Sequence, residues 1–168
     1  MSSIAAHRRR GAALVAVATA GLALAAPPAG AQFRPSPWAT INACDPPAAP
    51  GSVGVRVSVP NRRDAAQWIR VRIQFFDSSR LAWRVVRAGA DSGFTKLSDG
   101  GTRVLGGATF PFNAPPPGAV LKLRGLVDVE WRRGRRVLSS AQVMTRGGHA
   151  DPDDPLLQVS AAICEIRR

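Results

Sequence analysis

The residues best suited to chemistry lie in one short stretch, "MTRGGHADPDDP", at positions 144–155. It contains His149, the only histidine beyond the first ten residues. Three aspartates follow, namely Asp151, Asp153 and Asp154. Imidazole and carboxylate groups act as acid–base catalysts in hydrolases and as ligands in metal sites. The stretch could therefore be a catalytic site, a metal site or a polar turn.

The catalytic interpretation requires a nucleophile close to His149. A Ser-His-Asp triad would need one of the serines Ser139, Ser140 and Ser160. None of them lies in the Gly-x-Ser-x-Gly turn that exposes a nucleophilic serine in one large hydrolase class. We therefore predict a protein without catalytic residues. The alternatives are a small extracellular hydrolase that uses His149 with the nearby acids, and an inhibitor of an exported enzyme.

The metal interpretation requires more ligands than this stretch supplies. Calcium takes six to eight oxygen ligands, which calcium loops provide from alternate acids and a distal glutamate. Asp151 and Asp153 alternate, but Pro152 and Pro155 stiffen the loop and no glutamate follows. We predict no metal and no cofactor; the weak candidate ligands are Asp151, Asp153 and Asp154.

The turn interpretation explains the stretch most simply. Gly147 and Gly148 adopt positive φ at low cost, so the chain can turn sharply after a strand. Asp and Pro are common in turns for backbone reasons. We expect His149 to fold back, hydrogen-bond a backbone group and act as a turn clamp between the last two strands.

The N-terminus has the three parts of a secretory signal peptide. Arg8–Arg10 are positively charged, residues 12–26 are apolar, and Ala29-Gly30-Ala31 is a small-x-small cleavage site. A membrane-spanning helix needs roughly 20 apolar residues, more than this run provides. We predict a cleaved signal at residues 1–31, a secreted or extracellular mature protein, and no membrane span after cleavage.

The chain has two cysteines, Cys44 and Cys164, one near each end of the predicted mature protein. In an oxidising compartment an even number of cysteines indicates disulfide bonding. We expect Cys44 and Cys164 to be joined, which leaves no thiol for catalysis.

Apolar residues alternate with polar ones over most of the mature chain, as in half-buried strands. Val53, Val55, Val57 and Val59 form one such face, and residues 69–75, 121–131 and 137–145 repeat the pattern. We also expect Leu81, Trp83 and Val85 to point inward and Arg84 outward. No segment has a helical period, so we predict an all-β fold of about seven or eight short antiparallel strands.

This pattern resembles the immunoglobulin-like and fibronectin-type-III-like sandwiches. The chain departs from true immunoglobulin domains because it has no tyrosine. It is also similar to small exported proteins of GC-rich bacteria that carry one cysteine near each end. We expect an N-terminal lead-in at residues 32–43 and one sandwich domain at residues 44–168, closed by the disulfide.

A binding surface is the function that this fold makes most plausible. If strands near residues 82–86, 120–131 and 136–146 pair in one sheet, its outer face mixes basic, acidic and apolar side chains. The residues that we predict for this binding face are Arg84, Lys122, Arg124, Leu126, Arg136, Leu138 and Met144. The alternative is a surface with scattered hydrophobes and ion pairs, which is common and needs no function.

The charge suggests an anionic or protein partner. The net charge is +12, from 23 basic and 11 acidic residues. Only two basic residues, Lys96 and Lys122, are lysines, so part of the balance reflects the composition of a GC-rich genome. An anionic cell-envelope polymer or a protein is the expected partner of such a secreted binding or structural module. We predict no dedicated nucleic-acid ligand.

Overall fold

The computed structural model describes residues 36–97, 101–149 and 159–168. The predicted signal at residues 1–31 lies outside them. Asp151, Asp153 and Asp154 also lie outside the described residues, so the structure does not address the metal prediction for these three.

The described chain is all-β, as predicted, and consists of nine strands without a helix. The strands are β1 (Trp38–Cys44), β2 (Ser52–Pro60), β3 (Ala66–Asp77), β4 (Ala82–Val85), β5 (Asp91–Lys96), β6 (Arg103–Pro111), β7 (Val120–Arg133), β8 (Arg136–Met144) and β9 (Cys164–Arg167). β1 begins inside the predicted lead-in. β5 was not predicted, because its sequence DSGFTK lacks an apolar alternation.

The strands form two antiparallel sheets. The smaller sheet has the order β1-β2-β6, and the larger sheet has the order β4-β3-β7-β8. β5 shares the outer edge of β3 with β4, and β9 shares the outer edge of β7 with β8. The strands near residues 82–86, 120–131 and 136–146 lie in the same sheet, as expected, but β3 lies between β4 and β7.

The core lies between the two sheets and follows the predicted alternation. On β3, Ile69, Val71 and Ile73 are at most 2% exposed, and on β7 Val127 and Val129 are fully buried. Full burial of such a side chain stabilises the fold by roughly 1.5–3 kcal/mol relative to exposure. Because side chains alternate between faces, this burial determines which residues of each strand point to the outer surface.

β1 joins the two sheets at one edge. It pairs with β2 throughout, and Ala39 also forms a parallel bridge with Thr145, just after β8. The Thr145 hydroxyl accepts a hydrogen bond from the Gly125 N–H at 3.0 Å and donates one to the Ala162 carbonyl at 2.6 Å. A Cβ on Gly125 would lie 2.7 Å from Cγ2 of Thr145, so only glycine permits this approach.

The predicted orientation of β4 is wrong by one residue. The register places Trp83 opposite Phe76 and Val85 opposite Gln74, on the outer face, whereas Arg84 lies opposite the inward residue Phe75. Leu81, expected to point inward, lies in the preceding turn with φ of 50° and is 80% exposed. A single-residue shift moves every side chain of a strand to the other face.

A β-bulge changes the start of β8. The register skips Leu138 between the pairs Trp131–Ser139 and Arg132–Val137. Val137, expected inward, therefore lies opposite the outward residue Arg132 and is 46% exposed. A bulge inserts one residue and reverses the faces beyond it. As a result, Arg136 faces Arg133 at the hairpin and does not belong to the predicted face.

The predicted disulfide between Cys44 and Cys164 is confirmed. It joins the end of β1 to the start of β9 across a sequence separation of 120 residues. Cys164 is fully buried and lies opposite Leu123, at the end of the sandwich where β7 begins. The bond therefore ties both ends of the domain to one end of the larger sheet.

Removing the disulfide is expected to destabilise the protein strongly. In the chain-entropy model, a bond that closes a loop of this size stabilises by about 4–5 kcal/mol, because it restricts the unfolded chain. We expect the Cys44→Ser/Cys164→Ser variant to lose about that much unfolding free energy in urea titrations. A variant with unchanged stability would contradict the prediction, and reduction of the wild-type protein should reproduce the loss.

Candidate functional site

The surface of the larger sheet that points away from the core is termed here the outer sheet face. It is formed by outward residues of β3, β4, β5, β7 and β8. Of the predicted binding residues, the structure brings Lys122, Arg124 and Leu126 together on β7, with Met144 opposite Leu126 on β8. The other three predicted residues do not join this group. The register of β4 turns Arg84 to the inner face, and the bulge in β8 displaces Arg136 and Leu138.

Arginine side chains stack on aromatic rings at two places on this face. The Arg132 guanidinium lies 4.8 Å from the ring centre of Trp68 and 4.5 Å from that of Phe94. Its Nε also donates to the Glu130 carboxylate. Such cation–π contacts stabilise by roughly 0.5–2 kcal/mol, depending on how far the cation is desolvated. The side chain of Arg132 is thus held by two aromatic rings and one carboxylate.

The second stack lies at the other end of the face. The Arg124 guanidinium is 4.3 Å from the Trp83 ring centre, and its Nε donates to Oε1 of Gln74 at 2.8 Å. Burial lowers the pKa of Arg124, but arginine stays charged at neutral pH. Trp83 was expected in the core, so the sequence prediction missed this stack.

Ion pairs occupy the middle of the face. Arg70 binds Asp91, and Arg72 donates to the Asp128 carboxylate at 2.6 Å. Gln142 donates to the same carboxylate at 2.6 Å. The hydrogen bonds from Arg70 lower the pKa of Asp91 to about 2. The arginines in this region are therefore largely neutralised by neighbouring acids.

Apolar side chains lie among these polar ones. Leu126 is only 8% exposed although it points outward, which shows how closely its neighbours cover it. Val85, Val137 and Met144 are between 37% and 47% exposed. At the β9 edge, Lys122 pairs with Glu165 at 3.1 Å. The face can therefore offer both flat apolar contact and ordered hydrogen-bonding groups.

His149 is held by a stack on the opposite side of the molecule. Its ring lies parallel to that of Trp38, with the ring centres 4.1 Å apart. The His149 N–H donates to Oγ of Ser160 at 2.7 Å, and its carbonyl accepts a hydrogen bond from Nη2 of Arg56. The expectation that His149 folds back is consistent with these contacts, although the imidazole stacks and its backbone makes the hydrogen bonds.

Among the described residues, the serine hydroxyl next to His149 contacts the backbone of His149 and not its imidazole. The Ser160 hydroxyl contacts Oγ1 of Thr40 at 2.8 Å as well as the His149 N–H. The imidazole has no hydrogen bond to a serine or carboxylate in the part of the chain that the structure describes. No group of three or more potential metal ligands is found there either.

No protein-family model matches the chain, and no curated protein or solved structure is detectably similar to it. We therefore infer the function from the geometry of these surfaces.

Replacing His149 with alanine is expected to destabilise the protein by about 1 kcal/mol, since an aromatic stack contributes roughly 0.5–1.5 kcal/mol beyond area burial. His149→Phe keeps a flat ring and is the matched control, which should retain most of the stability. Chemical denaturation measures both. Equal stability of wild type and His149→Ala would show that the stack contributes nothing.

The same stack predicts a pH dependence of stability. Burial lowers the pKa of His149 below 6.5, and Arg146, Arg103 and Arg56 lower it further. Between the lowered pKa and 6.5 the unfolded chain binds a proton that the folded protein does not. The stabilisation that results from the lowered pKa of His149 is therefore complete above pH 6.5 and is lost as the pH falls through this range. His149→Phe should lack this component when unfolding is compared at pH 8 and pH 5; identical pH profiles would contradict it.

Proposed function

We propose that this protein is an exported, non-catalytic binding module whose outer sheet face contacts a protein partner outside the cytoplasm. The two antiparallel sheets support an immunoglobulin-like sandwich as the scaffold. Within that scaffold, the larger sheet supplies the binding surface.

Two features support export. The N-terminal sequence has the form of a cleaved signal, and the Cys44–Cys164 bond is typical of proteins from oxidising compartments. Among the described residues, no helix is long and apolar enough to cross a bilayer.

The main support for the proposal is that arginine side chains on the outer sheet face are held in fixed positions before any partner binds. Arg132 and Arg124 are each held by an aromatic stack and a hydrogen bond. Tryptophan and arginine are enriched among the residues that dominate protein–protein binding energies. Side chains that are ordered before binding lose less entropy when a partner arrives, so a rigid face favours affinity.

The charge balance of this face favours a protein over a polyanion. The arginines at its centre already have acidic partners, so an anionic polymer would have to displace carboxylates. The exposed side chains of Val85, Val137 and Met144 would gain from contact with apolar groups, which a protein surface supplies.

The proposal is tested by placing a charge on the face. We expect Met144→Glu to weaken capture of a protein partner from the extracellular fraction at high salt by about tenfold or more, since a buried unpaired charge at an interface is costly. Leu105→Glu is the matched control, because Leu105 is 55% exposed on the smaller sheet.

The comparison uses quantitative pull-downs with the wild type and both variants. A partner lost with Met144→Glu and kept with Leu105→Glu supports the proposal. Equal capture by all three proteins, or no protein retained at high salt, would contradict it.

A further inference from the structure

Basic side chains concentrate at the end of the sandwich opposite the disulfide. Here β3 begins, β5 and β7 end, and the β7–β8 hairpin turns at Gly134. Three segments contribute to this end, which we term the basic pole. Its cations are Arg62, Arg63, Lys96, Arg132, Arg133, Arg135 and Arg136.

The basic pole is concave. A depression of about 520 Å³ is lined by residues 61–66 of the β2–β3 turn, by Lys96, and by residues 132–134 of the hairpin. Two-residue hairpin turns favour glycine with positive φ, and Gly134 has φ of 58°. The depression is thus formed by three segments that are far apart in the sequence.

Buried side chains hold the β2–β3 turn in place. The amide of Gln67, which is fully buried, donates to the carbonyls of Arg62 at 3.2 Å and Ala65 at 2.8 Å. The indole N–H of Trp131 donates to the Pro60 carbonyl at 3.1 Å. The backbone that presents the cations is therefore anchored to the core.

The acids of the basic pole are already engaged. Asp64 pairs with Arg62 at 3.1 Å and with Arg133 at 3.5 Å, and the hydrogen bonds from Arg62 lower its pKa. Glu130 pairs with Arg132. The remaining cations are exposed and have no ion pair within the described residues; they are Arg63, Lys96, Arg135 and Arg136.

A general excess of arginine does not account for this arrangement. Genome composition can raise the number of arginines anywhere in a chain. It does not place the unpaired Arg63 and Lys96, from two separate segments, in the lining of one depression, with Arg135 and Arg136 following directly on its hairpin wall. Exposed like charges at one end of a domain repel one another, and a bound anion would relieve that repulsion.

We propose that the basic pole is a binding site for a flexible, linear polyanion whose charged groups are phosphates or carboxylates. The unpaired cations lie on separate segments and are exposed, so a chain of repeated anions can contact all of them and release their counterions. Guanidinium groups match both oxyanions with paired hydrogen bonds. This site adjoins the outer sheet face at Arg132, but none of its unpaired cations belongs to the protein-binding surface proposed above.

The lining of the depression distinguishes such a polymer from single-stranded nucleic acid. Nucleic-acid grooves combine cations with aromatic rings on which bases stack. None of the described residues that line the depression is aromatic, and the nearby rings of Trp68 and Phe94 are both contacted by Arg132. The site therefore favours a chain without aromatic groups.

The experiment compares two variants of equal net charge. The first variant neutralises the unpaired cations of the basic pole and carries Arg63→Gln, Lys96→Gln, Arg135→Gln and Arg136→Gln. The second variant neutralises exposed arginines outside the basic pole and carries Arg80→Gln, Arg87→Gln, Arg146→Gln and Arg167→Gln. The probes are fluorescent polyphosphate and fluorescent polygalacturonate, titrated at several salt concentrations. We expect the first variant to bind at least one probe roughly tenfold more weakly, with a shallower dependence of log Kd on log salt, and the second to bind nearly as wild type.

Binding of polyphosphate alone identifies phosphate groups, and binding of polygalacturonate alone identifies carboxylates; either result supports the site. Equal weakening by both variants, no measurable binding of either polymer, or saturation by orthophosphate at the same affinity would overturn it. Tighter binding of a homothymidine strand of matched charge would overturn the choice of polymer. Met144→Glu should bind the polymers as wild type does, so this test is independent of the partner capture above.

Discussion

The pairing of β3 with β7 is the constraint on which the rest of the molecule depends. Val71 lies opposite Val127 and Ile69 opposite Val129, with all four side chains buried between the sheets. Because side chains alternate along a strand, burial of these residues forces their neighbours outward. Arginines, tryptophan and acids are thereby brought side by side on one surface. The outer sheet face is thus a direct consequence of how the core is packed.

Arginine has two different environments in this fold. On the outer sheet face, Arg124 and Arg132 stack on aromatic rings and bind polar groups, so their charges contribute to a rigid surface. At the basic pole, Arg63 and Arg135 are exposed and have no ionic partner among the described residues. The first environment favours contact with a folded protein and the second favours a flexible anion. One residue type therefore supports two distinct binding proposals.

The means of stabilisation also differ between the two ends of the domain. At one end, the Cys44–Cys164 bond and the bridge from Ala39 to Thr145 tie the termini and both sheets together. At the other end, the β2–β3 turn is held by hydrogen bonds from Gln67 and Trp131. The side chains of Arg63 and Arg135 at that end are exposed and are not part of the core.

The all-β class, the alternation of β2, β3 and β7, and the disulfide were predictable from the sequence, because each depends on a local period or on a single pair of residues. The faces of β4 and β8 were not, because they depend on strand register: β4 pairs with β3 one residue away from the expected phase, and a bulge at Leu138 shifts the start of β8. β5 was missed because its polar sequence becomes a strand only through pairing with the edge of β3. The basic pole was hidden for a similar reason: Arg63, Lys96 and Arg135 are distant in the chain, and only the register of three strands gathers them at one end.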